Sequence, residues 1–141
     1  MIKLEKIPPG IGERIPAAIA VMERDDRVLF AYLFGGLVRG GQKPLSDVDL
    51  AVFLTGMAGL AEYKFDLFDR LTDALGTNEL DLVILNNAPV SIAGRVLQNK
   101  KTLVDKDPFR RHSYESVTLR EFWDFSVKEK DVLCRRYGVG R

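Results

Sequence analysis

Apolar residues follow two different spacings along the chain, and these spacings predict a protein that mixes helices with strands. Ile15, Ile19 and Met22 recur at the spacing of one helical face, whereas short continuous apolar runs elsewhere are typical of strands. Helices are predicted at residues 11–23, 37–41, 59–75, 90–98 and from 107 to about 137. Strands are predicted at residues 28–34, 47–54, 79–85 and 101–105, the last one at a sheet edge.

The last predicted helix carries more apolar residues than one narrow face needs. Asp107 and Pro108 fit its N-cap and its first position. One line along the helix consists of Leu119, Phe122, Ser126, Lys130 and Leu133. The large side chains outside that line are Trp123, Phe125 and Val132. This surplus indicates either a broad core face or a surface that meets a partner or a second copy of the chain.

Two aspartates lie at the start of the second predicted strand, directly after a glycine-rich bend. Because side chains alternate along a strand, Asp47 and Asp49 point to the same face, with Cα atoms roughly 6.6 Å apart. Carboxylates at this spacing can share one hard cation such as Mg²⁺, or hold a pair of cations about 3.5–4 Å apart. The alternative is an ordinary turn between two strands, followed by a Ser-Asp cap.

The bend before these aspartates has the composition of a phosphate site. Gly35 and Gly36 allow backbone N–H groups to approach an anion closely, and Arg39 and Lys43 add positive charge nearby. For Arg39 the alternative is a solvated charge in a turn. Ser46, at the end of the bend, is expected to cap or orient the loop that carries the carboxylates.

A third aspartate, Asp81, lies in an apolar run that is typical of a buried strand. An unpaired charge in such a strand would cost several kcal/mol, and a metal or a cationic partner removes that cost. The alternatives are a position at the strand edge and an ion pair with a lysine. Beside an Asp-x-Asp strand, the metal interpretation is favoured.

These residues together carry a resemblance to a known family. Gly35-Gly36, then ten residues, then Asp47-Val48-Asp49, with Asp81 on a later strand, resembles the polymerase-beta-type nucleotidyltransferases. The short chain and the phrase Leu-Ser-Asp-Val-Asp-Leu-Ala-Val are similar to the minimal nucleotidyltransferase branch, many of whose members are antitoxins paired with a HEPN-domain ribonuclease toxin. The resemblance covers residues 28–85, and more loosely the chain to about residue 124. It implies an α+β nucleotidyltransferase fold, a small mixed sheet flanked by helices with a long C-terminal helical segment.

The resemblance also implies a set of roles. Asp47, Asp49 and Asp81 would hold Mg²⁺ and act as the catalytic carboxylates of a nucleotidyltransferase that uses ATP. The nucleotide-binding residues would be Gly35, Gly36, Arg39 and Ser46. Family analogy further implies a tyrosine hydroxyl on a HEPN-type toxin as the acceptor of AMP, so that the ribonuclease is silenced by AMPylation.

The chain departs from the family pattern at one position, where Gly36 replaces a serine that offers its hydroxyl to the nucleotide phosphates. Two other functions therefore stay open. The chain could be a catalytically weak binding module that neutralises its partner by masking a surface. It could also be a small-molecule nucleotidyltransferase, although those enzymes usually carry an additional substrate-binding region, which a dimer could supply.

Composition limits the remaining possibilities. The 141 residues suit a single domain, 1–141, no apolar run is long enough to span a bilayer, and the first residues contain no apolar signal-peptide core. Net charge of +1 argues against strong nonspecific nucleic-acid binding. The single Cys134 gives no internal disulfide, which is typical of a cytoplasmic protein, and His112 is expected on the surface. A homo-oligomer is compatible with all of these features.

Overall fold

The computed structural model describes residues 11–35 and 48–137, with side chains described for residues 14–35 and 48–128. The elements are α1 Ile11–Arg24, β1 Val28–Phe34, β2 Val48–Leu54, α2 Leu60–Leu75, β3 Leu80–Ile84, a 3-10 turn Leu85–Asn87, α3 Val90–Gln98, β4 Lys100–Asp105 and α4 Pro108–Tyr137. Within these ranges every predicted helix and strand is present, with ends shifted by at most one residue. The predicted helix at 37–41 lies outside the described residues.

The four described strands form one mixed sheet in the order β3-β2-β1-β4. β1 is antiparallel to both β2 and β4, and β2 is parallel to β3. Helix α2 connects the parallel pair, as the geometry of a parallel crossover requires. The predicted α+β class and the predicted edge position of β4 are confirmed.

The sheet has a core on each face, because alternate residues of every strand point to opposite sides. Leu50, Val52 and Leu54 join the cluster formed with α1 and α2, where Leu67 and Leu71 are fully buried. The opposite cluster, which includes residues of α3, consists of Phe30, Tyr32, Ala51, Leu85, Ala93, Val96 and Leu97. Helices α3 and α4 therefore cover the face on which Tyr32 lies.

Helix ends follow the chemistry that the sequence indicates. Gly76 ends α2 in the left-handed conformation, with φ of 73°, and its N–H donates to the Thr72 carbonyl at 2.8 Å. Asp107 accepts a hydrogen bond on Oδ1 from the Arg110 N–H at 3.1 Å, which confirms the predicted N-cap of α4. Among the described helices, none combines the length and the apolar composition that crossing a membrane would require.

Over residues 108–128, whose side chains the structure describes, helix α4 packs on the protein along one side. Leu119 and Phe122 lie on the α3 side, where Phe122 lies directly over Gly94. Trp123 is 57% exposed and Val127 is 65% exposed. The interpretation of a broad core face is therefore wrong for Trp123, most of which is exposed, whereas Phe125 is 40% exposed and so partly covered. The side chain of Val132 lies outside the described residues.

Candidate active site

Two of the three predicted carboxylates lie in register at one end of the sheet. Asp49 is the second residue of β2, and its register partner on the parallel strand β3 is Asp81. Register partners point to the same face, and neighbouring strands lie about 4.8 Å apart. On the other side of Asp49, the antiparallel register pairs it with Phe34, which in turn pairs with Lys100 on β4. These pairings form one row of side chains that crosses all four described strands. The row consists of Lys100, Phe34, Asp49 and Asp81.

The burial of Asp81 differs from the prediction. Its side chain is exposed, whereas Leu80, Leu82 and Ile84 are buried against the α1–α2 side. β3 is an outer strand of the described sheet, so the side chains on its other face are only partly covered. The prediction that Asp81 is buried is therefore wrong, and no desolvation cost has to be offset there. The register of Asp81 with Asp49 is the structural evidence for a site.

Gly35 forms the turn that closes this end of β1. Its φ of +77° lies in the left-handed region, which favours glycine. A Cβ added at Gly35 would overlap Oδ2 of Asp49 and would lie 3.0 Å from its Cγ. The backbone of Gly35 therefore lies directly against the Asp49 carboxylate, so the glycine and the aspartate belong to one site.

Four of the predicted site residues lie outside the described residues: Gly36, Arg39, Ser46 and Asp47. Within the part of the chain that the structure describes, no group of three or more metal-ligating side chains comes together. The described part of the site is accordingly a pair of carboxylates, Asp49 and Asp81, with the Gly35 turn beside it.

A partly buried polar network on the same face extends from β1 to α4. The hydroxyl of the fully buried Tyr32 donates a hydrogen bond to Oε2 of Glu115 at 2.6 Å. Arg111 pairs with Glu115 at 3.2 Å and with Asp105 at 2.9 Å. Lys100 approaches Glu115 at 3.6 Å, and its Nζ lies 5.2 Å from the centre of the Tyr32 ring. This network attaches the first turns of α4 to the strands that carry the site.

The network shifts the ionisation of its members. Burial raises the pKa of the Tyr32 hydroxyl, and the hydrogen bond to Glu115 raises it further. Burial alone would raise the pKa of Glu115, but the hydrogen bond from Tyr32 and the charges of Lys100 and Arg111 outweigh burial and lower the pKa. Glu115 is therefore an ionised carboxylate at neutral pH, and Tyr32 keeps its proton.

Sequence reasoning did not find Lys100 or the Tyr32–Glu115 pair. Tyr32 lies two residues before Phe34, so alternation along β1 could have placed it on the face of the carboxylate row. No local signal places Glu115 beside Tyr32, because 83 residues separate them in the chain. His112 is exposed on α4, as predicted.

The model of the family described as "Polymerase beta, Nucleotidyltransferase" matches residues 17–109, more than half of the 141-residue chain. This chain belongs to the polymerase beta nucleotidyltransferase family. The matched range contains β1 to β4 of the nucleotidyltransferase fold, and with them Gly35, Asp49 and Asp81. It ends at the start of α4, so most of that helix lies beyond the family match.

Solved structures share this nucleotidyltransferase fold. A chain of a toxin–antitoxin complex with AMP-PNP is 21% identical, with a TM-score of 0.68, and the match covers 86% of this chain and 94% of that one. A chain from the tri-AMPylated Shewanella oneidensis HEPN toxin in complex with MNT antitoxin is 18% identical, with a TM-score of 0.68, covering 87% and 95%. A chain of the toxin–antitoxin complex MntA-HepT is 18% identical, with a TM-score of 0.63, covering 88% and 93%. Comparison with the curated proteins found no matching sequence.

Proposed function

We propose that this chain is a Mg²⁺-dependent nucleotidyltransferase that transfers AMP from ATP to a hydroxyl group of a HEPN-type ribonuclease toxin, and that it acts in this way as an antitoxin. The observation that carries the proposal is the register pairing of Asp49 with Asp81 at the sheet end closed by Gly35. Family membership supports the reaction class, because nucleotidyltransferases need carboxylates beside a phosphate site. The reaction would take place in the cytoplasm, where ATP and the ribonuclease would meet.

The donor set fits a hard divalent cation. Carboxylate oxygens are the ligands that Mg²⁺ prefers, and Asp49 and Asp81 present them on one face of adjacent strands. Asp47, two residues before Asp49, would add a third carboxylate by the alternation of a strand. When bound, Mg²⁺ would neutralise negative charge on the phosphates and on the attacking and leaving oxygens.

The residues of the chain would bind and orient the two substrates. Backbone N–H groups at Gly35 and Gly36, with the Arg39 guanidinium, would hold the phosphates, and Ser46 would orient the loop. Asp81, the exposed carboxylate, would lie closest to the acceptor hydroxyl and favour loss of its proton. The hydroxyl oxygen forms a bond to the α-phosphorus, the bond from that phosphorus to the bridging oxygen breaks, and pyrophosphate leaves.

The proteins of similar structure support the choice of nucleotide and acceptor. One of them is a toxin–antitoxin complex with AMP-PNP, and another contains a tri-AMPylated HEPN toxin with an MNT antitoxin. Both matches cover more than four fifths of this chain. We therefore extend ATP as the donor and a HEPN toxin as the acceptor to this protein as a proposal.

A second candidate function is neutralisation by masking, without transfer of AMP. The observation that favours it is the exposure of Trp123 and Val127, which lie one helical turn apart on α4 and present apolar surface to which a protein could bind. Gly36, in the place of the family serine, is compatible with weakened catalysis. The same two side chains could instead contact a second copy of the chain.

Intact-mass spectrometry separates the two functions. The product of the neighbouring gene would be incubated with this protein, ATP and Mg²⁺, and its mass would be followed. AMP-sized increments are expected with the natural chain and with Asp73→Asn, a substitution at an exposed site on α2. In the same incubation time, the fraction of modified product should fall about a hundredfold with Asp81→Asn and at least as much with Asp49→Asn. A tight complex whose toxin keeps its mass would contradict transfer and favour masking.

A further inference from the structure

An open groove runs along the outer edge of β3. Four consecutive strand residues, Asp81 to Ile84, form its floor, and the groove has a volume of about 420 Å³. One wall comes from α2 through Leu60, Ala61 and Lys64. The opposite wall comes from the segment between β3 and α3 and from Ile92 on α3. A groove whose floor is a strand edge has the shape of an extended peptide.

The backbone of β3 is oriented to accept such a peptide. The Val48 N–H donates to the Glu79 carbonyl at 3.0 Å, and Val48 pairs with Leu80 in the parallel register. In a parallel pair, backbone groups of alternate residues face the neighbouring strand, so those of residues 79, 81 and 83 face β2. The N–H and C=O groups of Leu82 and Ile84 therefore point outward, into a side on which no described strand lies.

We propose that this groove binds an extended segment of the acceptor protein as an additional strand on β3, and that it places the acceptor hydroxyl opposite Asp81. The proposal rests on the proposed function for the identity of the occupant as the AMP acceptor. Main-chain hydrogen bonds to β3 would supply affinity, and alternate side chains would supply specificity. At about 3.3 Å per residue, the length of the floor accommodates about four residues of the acceptor.

The charged side chains that line the groove indicate which residues the bound acceptor segment should carry. Asp81 and Lys64 both line the groove, and neither forms an ion pair with another described residue. A residue opposite Asp81 points to the face of the carboxylate row, and its two neighbours in the segment point to the α2 face. An acidic residue on either side of the hydroxyl residue would therefore face Lys64. The preferred segment is a hydroxyl residue flanked by carboxylates within β-branched residues.

Binding of a synthetic peptide tests the groove directly. The probe is a fluorescein-labelled peptide, Val-Thr-Val-Glu-Tyr-Glu-Val-Thr, whose binding is followed by fluorescence anisotropy without nucleotide. In a bound strand, the backbone N–H groups of every second peptide residue face β3, and those of the residues between them face away. N-methylation of the set that faces β3 should weaken peptide binding at least about tenfold, because it removes hydrogen bonds to β3. N-methylation of the other set should change peptide binding little. Equal effects of the two sets would overturn the strand geometry.

Three protein variants and one altered peptide test the wall that α2 forms. Ala61→Trp fills the groove and should abolish binding of the peptide, whereas Glu62→Trp, at the next and also exposed helix position outside the groove, should not. Replacing both glutamates of the peptide by lysine should weaken binding about threefold to tenfold, and Lys64→Glu should reverse that preference. The groove assignment is overturned when the tryptophan variants behave alike or the charge preference does not reverse.

Binding of the peptide and binding of nucleotide are measured separately, so that an error in the groove assignment can be distinguished from an error in the proposed function. Binding of AMP-PNP with Mg²⁺ would be measured by calorimetry on the same proteins. Peptide binding without nucleotide binding would refute the proposed transfer and leave the groove as a peptide site. Nucleotide binding without peptide binding would refute the groove alone. A dimer in sedimentation that Ala61→Trp disrupts, with no peptide bound, would assign the groove to a second copy and overturn the proposal.

Discussion

Asp49 and Asp81 are register partners on the parallel strands β2 and β3. Asp49 is half-buried and lies against the backbone of Gly35, whereas Asp81 is exposed on the outer strand. The two carboxylates therefore occupy one face but differ in surroundings. This difference allows the role of the site in function to be separated from any role in stability.

Replacing the exposed carboxylate should affect activity and not folding. Asp81→Asn is expected to lower the rate of AMP transfer by about two orders of magnitude, because it removes one preorganised charge from the site. Its free energy of unfolding should stay within about 0.5 kcal/mol of the natural chain, since exposed substitutions rarely cost more. Urea denaturation and a transfer assay check the two parts, with Asp73→Asn as the control. A large loss of stability would show that Asp81 has a structural partner.

A methyl group at Gly35 should damage the site more than the same change in an open turn. Gly35→Ala introduces strain at φ of +77° and an overlap with the Asp49 carboxylate. Gly56→Ala is a matched control, because φ is +75° there and the nearest atom to an added Cβ is 3.9 Å away. Both variants should lose about 1–2 kcal/mol of stability from backbone strain. Only Gly35→Ala should lose Mg²⁺-dependent binding of AMP-PNP, measured by calorimetry.

The Glu115 network should give stability a defined pH dependence. The pKa of Glu115 lies below its ordinary value of 4.5 in the folded protein, so the unfolded chain binds this proton more tightly. The stabilisation is complete above the unfolded pKa and is lost as the pH falls through the lower, folded pKa. Glu115→Gln should therefore cost about 1–2 kcal/mol at neutral pH and progressively less below about pH 4.5.

Denaturation with urea across this pH range measures the effect. Glu121→Gln, an exposed change on the same helix, serves as the control and should follow the natural chain at every pH. A difference between Glu115→Gln and the natural chain that stays constant down to about pH 3 would show that ionisation of Glu115 does not contribute.

Contact between α3 and α4 should depend on the absence of a side chain at Gly94. Gly94 lies inside α3, where alanine would ordinarily stabilise the helix by about 1 kcal/mol. A Cβ there would overlap the ring of Phe122 and lie 2.7 Å from its Cβ. Gly94→Ala should therefore destabilise the protein by about 1–3 kcal/mol.

A double-mutant cycle checks the cause. In the background of Phe122→Ala, where the ring is absent, Gly94→Ala should cost much less than it does in the natural chain, as measured by urea denaturation. Equal costs in the two backgrounds would mean that the destabilisation does not come from Phe122.

Periodicity along the chain determined most of the fold. Helical spacing gave the bounds of α1, α2 and α3, and the glycine at position 76 gave the end of α2, because these signals are local. The same alternation placed Asp49 on a definite face of its own strand. Alternation could not predict which residue of another strand lies beside Asp49, because strand register depends on packing between residues far apart in sequence.

Tertiary structure decided how the residues of the candidate site are arranged, whereas the family resemblance implied only that they share a site. The sequence by itself identified Asp81 as a candidate, but for the wrong reason, because an apolar run does not show whether a strand lies in the centre or at the edge of a sheet. Only the strand order exposes Asp81, opens the groove beside it and places Lys100 in the row of Asp49. The pairing of Tyr32 with Glu115 likewise required α4 to fold back onto β1, which burial drives and no local pattern encodes.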